Sequence, residues 1–144
     1  MTRISFYVLG NSDPQARYQL ICKLAEKAIG VGQKVHIHGD EDAELEALSR
    51  ELWRFRPLSF VAHRVLPTDY LAGSDDDDPV LLSTGTPPVD RNLLINLALE
   101  VPPFFSRFER TLEVVNEQTE VQIAGRKRYR FYQQRGYPLQ HHKM

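Results

Sequence analysis

Cysteine is almost missing from this 144-residue chain. Cys22 stands alone, which excludes an internal disulfide and a cysteine-based zinc cage. Long apolar runs are missing too, so no segment has the roughly 20 apolar residues that a membrane helix needs. The opening MTRISFYVLG lacks the apolar stretch of a secretory leader and passes directly into a strand-like pattern; the expected location is the cytoplasm. No excess of one charge exists: 18 Lys and Arg stand against 19 Asp and Glu, which argues against a general nucleic-acid coat. Acidic residues are absent from one stretch in particular. Residues 121–144 hold six Lys or Arg and no Asp or Glu, while the first 120 residues hold 12 basic against 19 acidic. Tyr129, Phe131, Tyr132 and Tyr137 lie among those terminal charges. Such a segment suits a ligand that is negative and partly apolar, although a charge run is usually a solvated face.

The hydrophobic pattern predicts alternating strands and helices. Positions 4–9 read as a strand ending at the turn signal Gly10-Asn11. Asp13 followed by Pro14 starts a helix, a capping residue and then a proline at the first turn. Leu20, Ile21, Leu24, Ala25, Ala28 and Ile29 recur at steps of three and four, and Gly30 and Gly32 stop that helix. A strand over 34–38 follows, then a second helix capped by Asp40, with Leu45, Leu48 and Leu52 inside and Arg56-Pro57 at its end. A third strand spans 59–63. This order predicts an α/β fold: a single Rossmann-like domain over 1–144, a mostly parallel sheet with helices on both faces, and strand 4–9 near its centre. Residues 64–79 read as a loop; its four aspartates at 75–78 are adjacent rather than spaced like calcium ligands, so solvation is expected. Further strands are expected at 80–83, 93–98 and, as the last one, 112–115, with a short helical turn over 104–108. A terminal helix runs from about 119 to 135, stopped by Gly136. His141 and His142 fall in a short tail where disorder is expected.

No catalytic constellation is present. The first strand-to-helix turn, Leu9-Gly10-Asn11-Ser12-Asp13-Pro14, has one glycine, an aspartate that repels phosphate and a proline that removes a donor. Nucleotide binding is not expected, and no P-loop lysine occurs. His36 and His38 alternate beside Asp40 but lack a third ligand of recognisable spacing, so neither a metal nor a cofactor is expected. Cys22 sits by the apolar stripe and reads as a small buried hydrophobe. Ser83-Thr84-Gly85-Thr86 lacks a nucleophile elbow. The isolated chain is not expected to be an enzyme.

Two clusters point to partners. Trp53, Phe55 and Phe60, with Arg54 and Arg56, flank an abrupt helix-to-strand turn. Tryptophan and arginine together are the chemistry of interface hot spots, and equally the tryptophan could pack in the core. On the terminal helix, Gln122, Arg126, Tyr129 and Gln133 share one face, bordered by Arg130. Arg126 can fork onto a carboxylate and Tyr129 offers an apolar wall, which suits an acidic peptide with a hydrophobic C-terminus. The same helix would suit single-stranded nucleic acid through phosphate contacts and stacking.

The residues Phe6-Tyr7-Val8-Leu9, Leu52-Trp53, Ser59-Phe60-Val61 with His63, the run from Asp90 to Leu97, Phe108, Glu113-Val114-Val115, and Arg128-Tyr129-Arg130 through Gly136-Tyr137 together resemble the chi subunit of bacterial DNA polymerase III. The resemblance covers nearly the whole length and lies in the order and spacing of these marks. It implies a Rossmann-like domain without nucleotide chemistry, a non-catalytic part of the clamp loader. One surface, including Trp53 and Phe60, is implied to bind the psi subunit. Another, at Val115, Gln122, Arg126, Tyr129 and Arg130, is implied to bind the acidic C-terminal tail of single-stranded-DNA-binding protein, which ends in Pro-Phe. The family pattern has a lysine where this chain has Gln122; Lys127 and Arg130 are the candidates to replace that charge.

Overall fold

In a computed structural model, which describes residues 1–55, 63–67, 78–88 and 90–144, seven strands form one all-parallel sheet. They are β1 (Arg3–Val8), β2 (Val35–His38), β3 (His63–Val65), β4 (Val80–Ser83), β5 (Leu93–Asn96), β6 (Arg110–Val115) and β7 (Leu139–Lys143). Their spatial order is β3-β4-β2-β5-β6-β1-β7. The helices are α1 (Pro14–Gly30), α2 (Asp42–Arg54) and α3 (Thr119–Gln134), with a 3-10 turn at Phe105–Arg107. No helix among the described residues is long and apolar enough to cross a membrane. The α/β class, the parallel sheet and the helices on both faces agree with the sequence pattern.

Local chemistry sets the helix ends. Asp13 caps α1 by accepting a hydrogen bond from the Gln15 amide at 3.0 Å, and Pro14 occupies the first turn. The helix α2 begins without a side-chain cap; Asp40, expected in that role, instead accepts from the Leu99 amide at 2.8 Å. Leu45, Leu48 and Leu52 on α2, and Leu20, Ile21, Leu24 and Ala25 on α1, pack on Val35, Ile37, Val80, Leu82, Ile95, Leu112 and Val114 of one sheet face. Ile29 is half-buried at the margin of this layer.

Other sequence expectations also need correction. The first strand lies second from the edge, not near the centre. Its alternation of Ile4, Phe6 and Val8 with Arg3, Ser5 and Tyr7 belongs to a strand that is less fully covered; β4 and β5, Val-Leu-Leu-Ser and Leu-Leu-Ile-Asn, are buried throughout. Residues 64 and 65 continue a strand rather than opening the loop. Finally, the tail is ordered, and 112–115 is not in the last strand. Gly136, at φ +75°, turns the chain back from α3, and β7 pairs parallel with β1 from Leu139 beside Ile4 to Lys143 beside Val8. Leu-Gln-His-His-Lys has weak strand propensity, and the pairing is supplied by tertiary context. The expected strand over 59–62, Phe60 and the aspartates at 75–77 lie outside the described residues.

The second sheet face, beneath α3 and residues 102–108, is partly polar. His36 is buried there, its Nε2 2.8 Å from Ser83 Oγ, and His38 packs edge-on against Phe104 at 5.0 Å. Burial first, then Arg91 and His38, push the His36 pKa down to about 3; burial also lowers that of His38. A neutral histidine that must charge in the core destabilises the fold in acid. Stability is retained above the unfolded value near 6.5 and falls as pH drops toward 3. The expected slope is about 1.4 kcal/mol per pH unit for each such histidine. Urea unfolding at pH values near 7 and near 5 checks this, with a shallower slope in His36→Gln; equal slopes would contradict it.

Candidate functional site

The site is built by the way α3 is seated on the sheet. Gly125 lies against Val115 of β6, where an added Cβ would come within 2.9 Å of Val115 Cγ1. A mid-helix glycine costs about 1 kcal/mol relative to alanine; here it allows the helix to approach the strand closely. Next to it stands Glu113, with no exposed surface. Its carboxylate accepts from Arg128 Nε at 3.0 Å, Tyr132 Oη at 2.7 Å and Asn96 Nδ2 at 3.0 and 3.2 Å. Arg128 also donates Nη1 to the Leu99 carbonyl at 2.9 Å. Burial, then Glu113, raise the Tyr132 pKa, so its hydroxyl stays a donor. This inward face of Gly125, Arg128 and Tyr132 fixes the rotation of α3 and turns Gln122, Arg126 and Tyr129 toward β1 and β7.

There they border a cleft of about 430 Å³, lined by Phe6, Val8, Val115, Asn116, Gln122, Gly125, Arg126, Tyr129 and His141. Its floor is apolar. The Tyr129 ring meets Phe6 edge-on with centroids 5.1 Å apart, and Val8 and Val115 are register neighbours. Arg126 is exposed at the rim and makes no ion pair among the described residues. Asn116 shapes the entrance: its Oδ1 accepts from the Gln118 amide at 3.0 Å as the chain turns into α3. A guanidinium beside an aromatic and aliphatic hollow can bind a carboxylate and bury an adjacent ring at the same time.

Four of the five residues expected for this surface, Val115, Gln122, Arg126 and Tyr129, come together here. Arg130 is exposed and does not line the cleft, nor does Lys127. At about 100° per residue, Arg130 lies roughly 40° past Arg126 around the helix and Lys127 roughly 100° past it. Phe6, Val8, Asn116, Gly125 and His141 were not anticipated. Gly125 carried a signal, a glycine inside a helical pattern. His141 carried none, because it reaches the cleft only through the unexpected strand β7.

Trp53, at the end of α2, is 53% exposed and lies against the His63 ring with centroids 4.0 Å apart. It is not a core residue; Phe60, its expected companion, lies outside the described residues. Cys22 is buried, and burial, then Glu51, push its thiol up to about 12, away from nucleophile chemistry. Ser83 Oγ donates to the Gly85 carbonyl at 3.2 Å besides meeting His36. No group of three His, Cys, Asp or Glu side chains among the described residues could hold a metal ion.

Comparison with known proteins supplies the context. Residues 1–140 match the family model described as DNA polymerase III chi subunit, HolC. The chain is 43% identical over 145 residues to the DNA polymerase III subunit chi of Pseudomonas aeruginosa, covering 100% of this chain and 98% of that one. It is 27% identical over 138 residues to the subunit of the same name from Haemophilus influenzae, covering 93% and 92%. With its parallel α/β sheet and a family match across nearly all of its length, the chain belongs to the DNA polymerase III chi subunit family.

Proposed function

We propose that this chain is a non-catalytic adaptor of the polymerase III clamp loader. It captures the acidic C-terminal tail of single-stranded-DNA-binding protein in the cleft beside α3 and joins the loader through a psi-like subunit at the Trp53 surface. The carrying observation is the placement of Arg126 on the rim of a hollow walled by Phe6, Val8, Val115 and Tyr129. A peptide that ends in phenylalanine presents its terminal carboxylate next to its ring. The cleft offers complements to both within one helical turn. Calorimetric titration with a synthetic acidic peptide ending in Pro-Phe tests the reading. One peptide should bind per chain, and removal of the terminal phenylalanine should abolish the heat.

Direct binding of single-stranded nucleic acid is the competing reading, and the packing of the aromatics weighs against it. Tyr132 is buried, Phe131 lies beneath the Arg135 guanidinium at 3.9 Å, and Tyr137 packs on Phe105 at 5.0 Å. These rings are committed to the fold and are poorly placed to stack on bases. A direct binder would hold an oligonucleotide alone, with affinity falling steeply as salt rises; an adaptor requires the other protein's tail.

The psi surface is supported by the exposure of Trp53, a residue type that dominates hot spots. It lies toward the other end of the sheet from the cleft, since α2 packs over β3 and β4 while β7 forms the far edge. Six strand spacings separate the edges, roughly 29 Å. Trp53→Ala should weaken psi binding by about 2 kcal/mol or more, and Phe60→Ala should act in the same direction. Both should leave the circular dichroism spectrum and tail binding unchanged. Undiminished psi affinity in both variants would remove this surface from the account.

A further inference from the structure

His141 is the one titratable group of β7 that lines the cleft. It sits beside Phe6 in the β1–β7 register, so it faces Arg126 and Tyr129 across the apolar floor. Position 122 is an uncharged glutamine, and neither Lys127 nor Arg130 lines the cleft, so Arg126 is the one permanent cation among its described lining residues. We propose that His141 is the second cation of this cleft: protonated, it binds a carboxylate of the acidic peptide opposite Arg126, so that affinity rises as pH falls. This rests on the peptide-binding reading above and adds a residue and a pH dependence to it.

The surroundings favour a role that depends on the ligand. From α3, the groups facing His141 are the Arg126 guanidinium, the Tyr129 phenol and the uncharged Gln122 amide. From β1 come Phe6 and Val8, and from β6 and its following turn come Val115 and Asn116, none of them ionisable. Glu113, next to Phe6 in the β1–β6 register, is buried and committed to Arg128, Tyr132 and Asn96. On β7 itself, Lys143 is two residues along on the same side. No Asp or Glu among the described residues lines the cleft, so an incoming acidic group is the counter-ion that an imidazolium there would find. The neighbouring His142 belongs to the other side of the strand, where its ring stacks on Tyr7 at 4.6 Å. It serves as an internal control.

The test is calorimetric titration of the full chain with the acidic peptide ending in Pro-Phe, at constant salt, at about pH 8 and about pH 5.5. Histidines change charge in this window and peptide carboxylates stay ionised. For the unaltered chain and for His142→Gln, the dissociation constant should fall about threefold to tenfold on acidification. For His141→Gln it should stay flat, and His141→Lys should bind tightly at both pH values. Repeating the titration near pH 6.5 in buffers of different ionisation enthalpy should show proton uptake that His141→Gln abolishes. If His141→Gln keeps the full pH dependence and proton uptake, this proposal is overturned while peptide binding stands. If the unaltered chain binds no peptide at either pH, both fall together.

Discussion

Replacing Glu113 with alanine should lower the unfolding free energy by about 3–5 kcal/mol, the largest effect expected of a single substitution here. The reason is what the carboxylate leaves behind. Arg128 is 2% exposed, so its guanidinium would remain buried without a counter-ion. Among the described residues its Nη2 has no hydrogen-bond partner. The Tyr132 hydroxyl would lose its acceptor, and the Asn96 amide would keep only the Ala98 carbonyl at 3.4 Å. Glu113→Gln keeps the shape but not the charge, and should remain strongly destabilised. Replacing both partners with apolar residues, Glu113→Leu with Arg128→Met, should recover much of the loss, because no buried charge is then stranded. Urea unfolding of the three variants decides between these outcomes. A loss below about 1 kcal/mol in Glu113→Ala would mean that this pair does not anchor α3.

The second large effect is on binding. Arg126→Ala should weaken the acidic tail more than tenfold, since a charge-assisted contact contributes about 1.5–3 kcal/mol. The residue is well suited to a clean test. It is exposed at the rim, makes no ion pair among the described residues, and takes no part in the Glu113 network that seats the helix. The fold should therefore be untouched, and psi binding should persist because Trp53 lies toward the opposite edge of the sheet. Calorimetry with each partner separates the cases. Equal loss of both partners would indicate a folding defect; unchanged tail affinity would reject this cleft.

Much of the fold was legible because it follows from local rules. The Asp13-Pro14 start of α1, the Leu45, Leu48 and Leu52 stripe, and the Gly136 stop are each set by a few neighbouring residues. The cleft was half legible. A helical period brings Gln122, Arg126 and Tyr129 to one side whatever the helix packs on, and Val115 entered through the family resemblance. What could not be read is what depends on strand order. Periodicity does not say that β7 will form from Leu-Gln-His-His-Lys, nor that it will lie outside β1. Phe6, Val8 and His141 become cleft residues only through that arrangement. The basic helix also looked more available than it is, because Arg128 is consumed by a buried carboxylate that lies 15 residues earlier.

The central claim is that this chain holds single-stranded-DNA-binding protein by its tail and not through nucleic acid. Titration with intact single-stranded-DNA-binding protein, and with the same protein lacking its last residues, tests it most directly, in the absence of DNA. The account predicts saturable binding to the intact protein and none to the truncated one. Equal binding to both forms, or binding that appears only when single-stranded DNA is added, would contradict it.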